Sequence, residues 1–311
     1  MKTLLICPSI RPAVPQLAED GPLVTAPILG ECLACHWVEH VAARGAREVQ
    51  IIASDRADEV RAAVGSGSRW GVKIDVLSAS FEPTVAEAAA THGSREAAAS
   101  SPRWLPAPLD VVLMSHLPGR PDLLLFDSYA GWFAALLAWM PQAITPARIR
   151  VGEILPGVWV GRRARVSPQA QLLAPCWIGD QVFVEPGAVV GPGAIVDDRS
   201  VIERDARVAH SWVGPDTLVG RMTSVSHSLA WGSSLTNWQT DSSLCVPDPF
   251  LLCSLARPFA APTAARPGSR PGAPARAGHP TLPPGAPFGW IPAPAGASAP
   301  KLPRQGGDPS L

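Results

Sequence analysis

The chain has 311 residues, 26 basic against 26 acidic side chains and a formal net charge of +0, which leaves room for two domains and gives no whole-chain footprint for nucleic acid or an anionic membrane surface. Its apolar start, residues 1–7, is cut by Pro8 and is too short for the core of a secretory signal, and no apolar stretch reaches the length of a membrane span. A cytoplasmic protein with reduced thiols is therefore expected, with neither nucleic acid nor membrane as a partner.

Residues 2–7 read as a short buried strand, and the Pro-rich residues 8–27 as a loop. Helical spacing over 29–43 puts Leu29, Leu33, Trp37, His40 and Val41 on one face, and Gly45 stops the helix. Within it, Cys32-Leu33-Ala34-Cys35-His36 matches the C-x-x-C-H pattern of haem attachment. Haem loading requires export and zinc requires further ligands nearby, so these roles, and a redox role with them, are set below the reading of the two cysteines as small hydrophobes on a helix. Residues 48–53 form a second strand. Ser54 or Asp55 can cap a helix over 57–64 that ends at Gly65, and 72–77 alternate as a third strand. The order β-α-β-α-β implies a parallel sheet.

Further on, residues 85–90 are read as helix and 92–108 as loop, with strands at 109–114 and 123–126. Asp127 or Ser128 can cap a helix over 129–140, which Pro141 ends.

From Ile154 a different period takes over. Apolar residues recur every six positions: Ile154, Val160, Val166, Leu172, Ile178, Val184, Val190, Val196, Ile202, Val208. Mostly small residues such as Ala164, Ala170, Cys176 and Ala188 follow each by four, and Gly161, Gly179, Gly191 and Asp197 lie near the turns. Neither a helix nor a simple strand has this period; a parallel β-helix does. With three hexads per coil, residues 18 apart stack about 4.8 Å from one another. This puts Ile154 on Leu172 on Val190 on Val208, and Val160 on Ile178 on Val196. The register breaks once, where Val213 follows Val208 by five, and resumes through Val219, Val225 and Trp231. Trp212 is too large for a routine corner, so an altered turn is expected there. The Pro-, Ala- and Gly-rich residues 256–311 bury little and are expected to be disordered, with Phe288, Trp290 and Ile291 as a small apolar cluster within them.

Three stretches carry a resemblance: Pro27-Ile28-Leu29-Gly30-Glu31, Gly45-Ala46-Arg47-Glu48-Val49 and Gly65-Ser66-Gly67-Ser68-Arg69-Trp70-Gly71-Val72-Lys73-Ile74. Followed by hexads, they resemble the sugar-phosphate nucleotidyltransferases, which include mannose-1-phosphate guanylyltransferases and often end in a left-handed β-helix. The resemblance covers roughly residues 1–80 and 151–255. It implies a shortened, Rossmann-like parallel α/β domain over 1–150, a left-handed β-helix over 151–255 and the tail over 256–311. It also implies a place in nucleotide-sugar or surface-polysaccharide metabolism, a nucleotide or nucleotide-sugar ligand, and self-association or association with an active nucleotidyltransferase.

The family's reaction needs a Gly-rich phosphate loop, cationic side chains and acidic ligands for Mg²⁺. Here the loop is Cys7-Pro8-Ser9-Ile10-Arg11-Pro12-Ala13, without glycine. Arg11 is the candidate for the family arginine, Ala26 stands where the family has a lysine, and Asp127 is the candidate metal ligand or else a helix cap. A catalytically weak or non-catalytic chain, a pseudoenzyme, is the expectation; Mg²⁺ is the implied cofactor only if the chain is active.

Hexapeptide β-helices also make acyltransferases that use acyl-coenzyme A, in which a histidine acts as general base. His210 and His227 are the candidates for that alternative, set against a structural reading as turn residues. A third reading is a β-helix scaffold that self-associates through outward aromatics such as Trp159, Trp177, Trp231 and Trp238.

Overall fold

A computed structural model describes residues 2–97, 109–144 and 151–256, all within one compact unit, Met1–Pro258. The expected disorder of the tail, with Phe288, Trp290 and Ile291, falls outside the described residues.

The first part runs β1 (Lys2–Ile6), a β2–β3 hairpin (Pro27–Ile28 and Glu31–Cys32), α1 (Leu33–Ala43), β4 (Glu48–Ala53), α2 (Ala57–Val64), β5 (Lys73–Ser78), α3 (Val85–Ala97), β6 (Leu109–Leu113), a β7–β8 hairpin (His116–Leu117 and Arg120–Leu124) and α4 (Tyr129–Trp139). The four long strands pair in the order β5-β4-β1-β6, all parallel. Alternation along β1 divides the core. Leu5 joins the residues of α1, α2 and α4, while Leu4 and Ile6 face Ala88 of α3.

Several local readings need correction. The first helix starts at Leu33 rather than 29, because Leu29 (φ 49°) and Gly30 (φ 84°) form the left-handed turn of the β2–β3 hairpin. Helix α2 is preceded by Arg56 in a left-handed conformation, and neither Ser54 nor Asp55 caps it; Asp55 is held by the Arg56 guanidinium at 3.1 Å instead. Helix α3 continues to Ala97, well past residue 90 and into the expected loop, of which 98–108 lie outside the described residues. The strand read at 123–126 lies at Arg120–Leu124, because Leu125 and Phe126 turn into the core. Ser128, not Asp127, caps α4: its extended backbone lets the short Oγ accept the Gly131 N–H at 3.0 Å, while Asp127 stays exposed.

The second part is a parallel β-helix of three sheets, each coil giving one strand to each. Leu172 pairs with Val190 and Val190 with Val208; Val160 pairs with Ile178 and Ile178 with Val196. The residues 18 apart therefore stack as the hexads require. Ile154 does not join them. It belongs to Val151–Leu155, which pairs antiparallel with Val158–Gly161 and leaves Ile154 exposed. Later coils repeat after 17 residues, with Val196 on Val213 and Val208 on Val225. A second five-residue step brings Ala230 rather than Trp231 onto Val213. Both short corners turn on one left-handed residue, His210 (φ 48°) and His227 (φ 53°).

The shift also explains Trp212. It is not a corner residue; it points outward from a sheet face, in register with Trp159, Trp177, Ile195 and Leu229. All five are buried, packed in one cluster with Trp132, Phe133 and Leu136 of α4. Trp132 meets Trp212 edge-on at 6.5 Å, and Phe133 stacks on Trp238 at 5.2 Å. The aromatic face expected to bind a second copy is thus covered by the chain's own α/β part. Each such indole removes roughly 150–250 Å² from water, or roughly 4–6 kcal/mol of burial before ordering costs.

Candidate functional site

In open parallel sheets ligands bind beyond the carboxyl ends of the strands, where the strand order reverses. Here that place lies after β1, beside β6. The β1 loop does present anion-binding donors: the Ser9 N–H, the Ser9 hydroxyl and the Arg11 guanidinium. All of them point at one internal carboxylate. Glu82, from the segment after β5, accepts the Ser9 N–H at 2.7 Å, the Ser9 Oγ at 2.8 Å and a bidentate pair from Arg11 at 2.8 and 2.7 Å. Burial works to raise the Glu82 pKa, but Arg11 and the two Ser9 donors outweigh it and bring it down to about 2. Arg11 also donates to the Ser9 hydroxyl at 2.8 Å.

Asp127 lies close enough for its charge to act on Arg11, so the structure does bring these two sequence candidates together. It does not make them a Mg²⁺ site. Among the described residues no group of three or more His, Cys, Asp or Glu side chains is arranged to hold a metal ion. The described residues do not fit the metal that the resemblance implies.

His210 and His227 also meet. Their rings stack at 5.2 Å with 18° between the planes, and Trp238 lies against His227 at 5.3 Å and donates its indole N–H to the His210 carbonyl at 3.0 Å. Neither imidazole has a hydrogen-bond partner among the described residues, so no carboxylate there fixes a tautomer for general-base work.

The third place was missed by sequence reasoning. The repeat stacks Gly161, Gly179, Asp197 and Gly214 at one position. A Cβ on Gly161 would collide with the Gly179 carbonyl, so this position suits glycine. Asp197 breaks the series, and its buried carboxylate reaches out of the coil. Oδ1 accepts the Gly30 N–H at 3.1 Å from the β2–β3 hairpin, and Oδ2 accepts the Trp212 indole N–H at 2.8 Å. Burial, then the neighbouring Asp198 charge, raises Asp197 to about 7. The next positions carry Asp180 and Asp198, which accept the corner N–H groups of Arg163 and Asp180 at 3.1 and 2.8 Å. The Asp at a glycine position of the repeat was the available signal.

Beside this corner opens a cleft of about 240 Å³, lined by Glu31, Cys32, Cys35, Asp197 and Arg199 among others. His36, the last residue of the haem-like pattern, is buried with Nε2 2.8 Å from the Ile28 carbonyl and its ring edge-on to Trp139. It is not placed to serve as an axial ligand.

No family model matches the chain, and no curated protein matches it. Solved structures that it resembles include the acetyltransferase domain of PglB from Neisseria gonorrhoeae in complex with acetyl coenzyme A, at 14% identity over 60% of this chain and 89% of that one, with a TM-score of 0.16. The perosamine N-acetyltransferase from Caulobacter crescentus in complex with CoA and GDP-perosamine is similar at 16% identity over 60% and 94%, again with a TM-score of 0.16. These neighbours are acetyltransferases rather than nucleotidyltransferases. At such scores they carry no inference about chemistry, which has to come from the chain's own residues.

Proposed function

We propose that this chain is a non-catalytic, sugar-phosphate nucleotidyltransferase-like subunit of nucleotide-sugar or surface-polysaccharide metabolism, acting by binding and association. The observation that carries this reading is the Ser9–Arg11–Glu82 cluster. Nucleotidyl transfer requires free donors to hold the phosphates as charge shifts onto the leaving pyrophosphate. Here the donors of the first loop are directed at an internal carboxylate. The Gly-rich loop and the family lysine are both absent from their positions, and Asp127 belongs to no metal-binding group among the described residues. The full chain with a nucleoside triphosphate panel, a hexose 1-phosphate and Mg²⁺ is expected to release pyrophosphate at background rate; robust turnover refutes the reading. Thermal shift against nucleotide sugars tests retained binding, since ligand at a hundred times its Kd adds about 2.7 kcal/mol. A flat response removes the ligand-binding half of the reading and leaves association with a partner subunit.

One observation favours a second reading, acyl transfer. Two imidazoles lie together on the outside of successive coils, beside Trp238. Consumption of acetyl-coenzyme A that is lost in His227→Ala supports it, and no consumption removes it.

A further inference from the structure

We propose that Cys32 and Cys35 form a redox-active dithiol that exchanges reversibly with low-molecular-weight disulfides entering the cleft beside Asp197. This inference does not depend on the function proposed above.

The two sulfurs are 2.6 Å apart, with the Cys32 thiol donating to Cys35. Closing to the roughly 2.05 Å of a disulfide asks for about half an ångström of movement. The local structure holds them in that relation. Cys32 is the N-cap of α1, its sulfur accepts the Cys35 N–H at 3.1 Å, and the 33–34 turn brings Cys35 back beneath it. This is the C-x-x-C geometry, in which a helix N-terminus favours thiolate over thiol; here the hydrogen bond between the two sulfurs lowers the Cys35 pKa and raises that of Cys32, so a shared proton rests on Cys32. Cys32 is partly exposed, Cys35 is buried, and both line the cleft. The Arg69 guanidinium, paired with Glu31 at 2.6 Å, favours the Cys35 thiolate and offsets the Glu31 charge that opposes it.

The other cysteines are set differently. Cys7 and Cys176 are buried, and burial pushes their thiols up to about 12 and about 11. Cys245 is exposed beside the Ser233 hydroxyl, and Cys253 is partly exposed on a strand where it pairs with Leu218. Simple exposure would therefore make Cys245 the first to react, whereas the geometry selects Cys32 and Cys35.

Cys35 loses its proton first, the Cys32 proton passes to it along their hydrogen bond, and the Cys32 thiolate so formed attacks one sulfur of R–S–S–R, giving a mixed disulfide and expelling the first thiolate. Cys35 then gives up its proton and attacks the Cys32 sulfur, closing the protein disulfide and expelling the second. The Cys32 and Cys35 protons end on the two leaving thiols, and two electrons pass from the dithiol to R–S–S–R. An excess of small thiol runs the sequence backwards.

The test equilibrates the full chain in graded ratios of reduced to oxidised glutathione, quenches with acid, alkylates and maps the peptides by mass. The expected result is a Cys32–Cys35 link that forms as the oxidised form rises and disappears when the ratio is reversed, while Cys7 and Cys176 stay alkylatable. Cys35→Ser should trap glutathione on Cys32. The wild-type map needs no variant to fold, and circular dichroism checks the variant. The proposal is overturned if Cys32 and Cys35 remain reduced at ratios that already modify Cys245, or if the link does not reverse.

Discussion

Replacing Asp197 by asparagine should remove most of a pH dependence built into the contact between the β-helix and the β2–β3 hairpin. Asp197 is 1% exposed and its pKa is raised by burial from 3.8 to about 7, with Asp198 adding to the shift and the Trp212 N–H, the Gly30 N–H and Arg199 opposing it. A carboxyl whose pKa is raised on folding contributes stability that is present below the unfolded value and lost as the pH climbs through the folded value. Between pH 5 and 7 the unfolded chain has already lost this proton and the folded chain holds it. Two pH units at 1.36 kcal/mol each give a loss of about 2.7 kcal/mol over that interval, flattening above pH 7. For a unit of this size that corresponds to roughly 6–10 °C in Tm. In Asp197→Asn the side chain keeps an acceptor for Gly30 but turns an amide toward the Trp212 N–H, a fixed cost of roughly 1–3 kcal/mol that does not vary with pH. His40, whose pKa burial lowers, acts with the opposite sign over the same range, but it is common to both proteins. Denaturation of both at pH 5, 6, 7 and 8 therefore reads Asp197 as a difference. The wild type should lose its advantage over the variant as the pH rises, and a difference that stays constant refutes the reasoning.

Three further outcomes follow from particular contacts. Glu82→Gln should free Arg11 and Ser9, so that calorimetry detects weak inorganic pyrophosphate binding, about millimolar, that the wild type lacks; the loss in stability should be about 1–3 kcal/mol, because Glu82 accepts four hydrogen bonds at a partly exposed site. Trp177→Ala should cost roughly 3–5 kcal/mol, and since the indole N–H has no partner among the described residues the loss is one of packing. Because Trp177 belongs to the core shared with α4, near- and far-ultraviolet circular dichroism should follow a single unfolding transition in that variant. Gly179→Ala should destabilise by roughly 1–3 kcal/mol, read from the urea midpoint, because its Cβ would lie 2.7 Å from the Asp198 backbone nitrogen, where a stacked coil cannot give way.

What the sequence disclosed depended on whether the signal was periodic. The hexads gave the stacking of Leu172, Val190 and Val208 directly, because a residue's neighbour one coil away is fixed by counting. Counting also located the first five-residue step, but not its effect on Trp212, which moved from a corner to a face. The helix starts were less legible. Helical spacing runs through Leu29 and Gly30, yet their left-handed backbones make a hairpin turn, and periodicity cannot report φ. Glu82 was invisible for another reason. It is 71 residues from Arg11, and only the fold brings the two together. Arg11 was legible as a cation in the right loop; that its charge was already matched was not.

The same distinction bears on what the repeat does for the rest of the chain. A four-stranded parallel sheet needs cover on both faces. One face has α3. On the other, α1, α2 and α4 cover the sheet, and the far side of α4 still presents Trp132, Phe133 and Leu136, all buried. The β-helix supplies what they pack against, through Trp159, Trp177, Ile195, Trp212 and Leu229. These outward positions are the ones a hexapeptide repeat leaves free of its own interior, so the repeat can carry large side chains there without disturbing the coils. The β-helix is therefore the second wall of the α/β core, and Asp197 and the Cys32–Cys35 pair both lie where that wall meets the first helix.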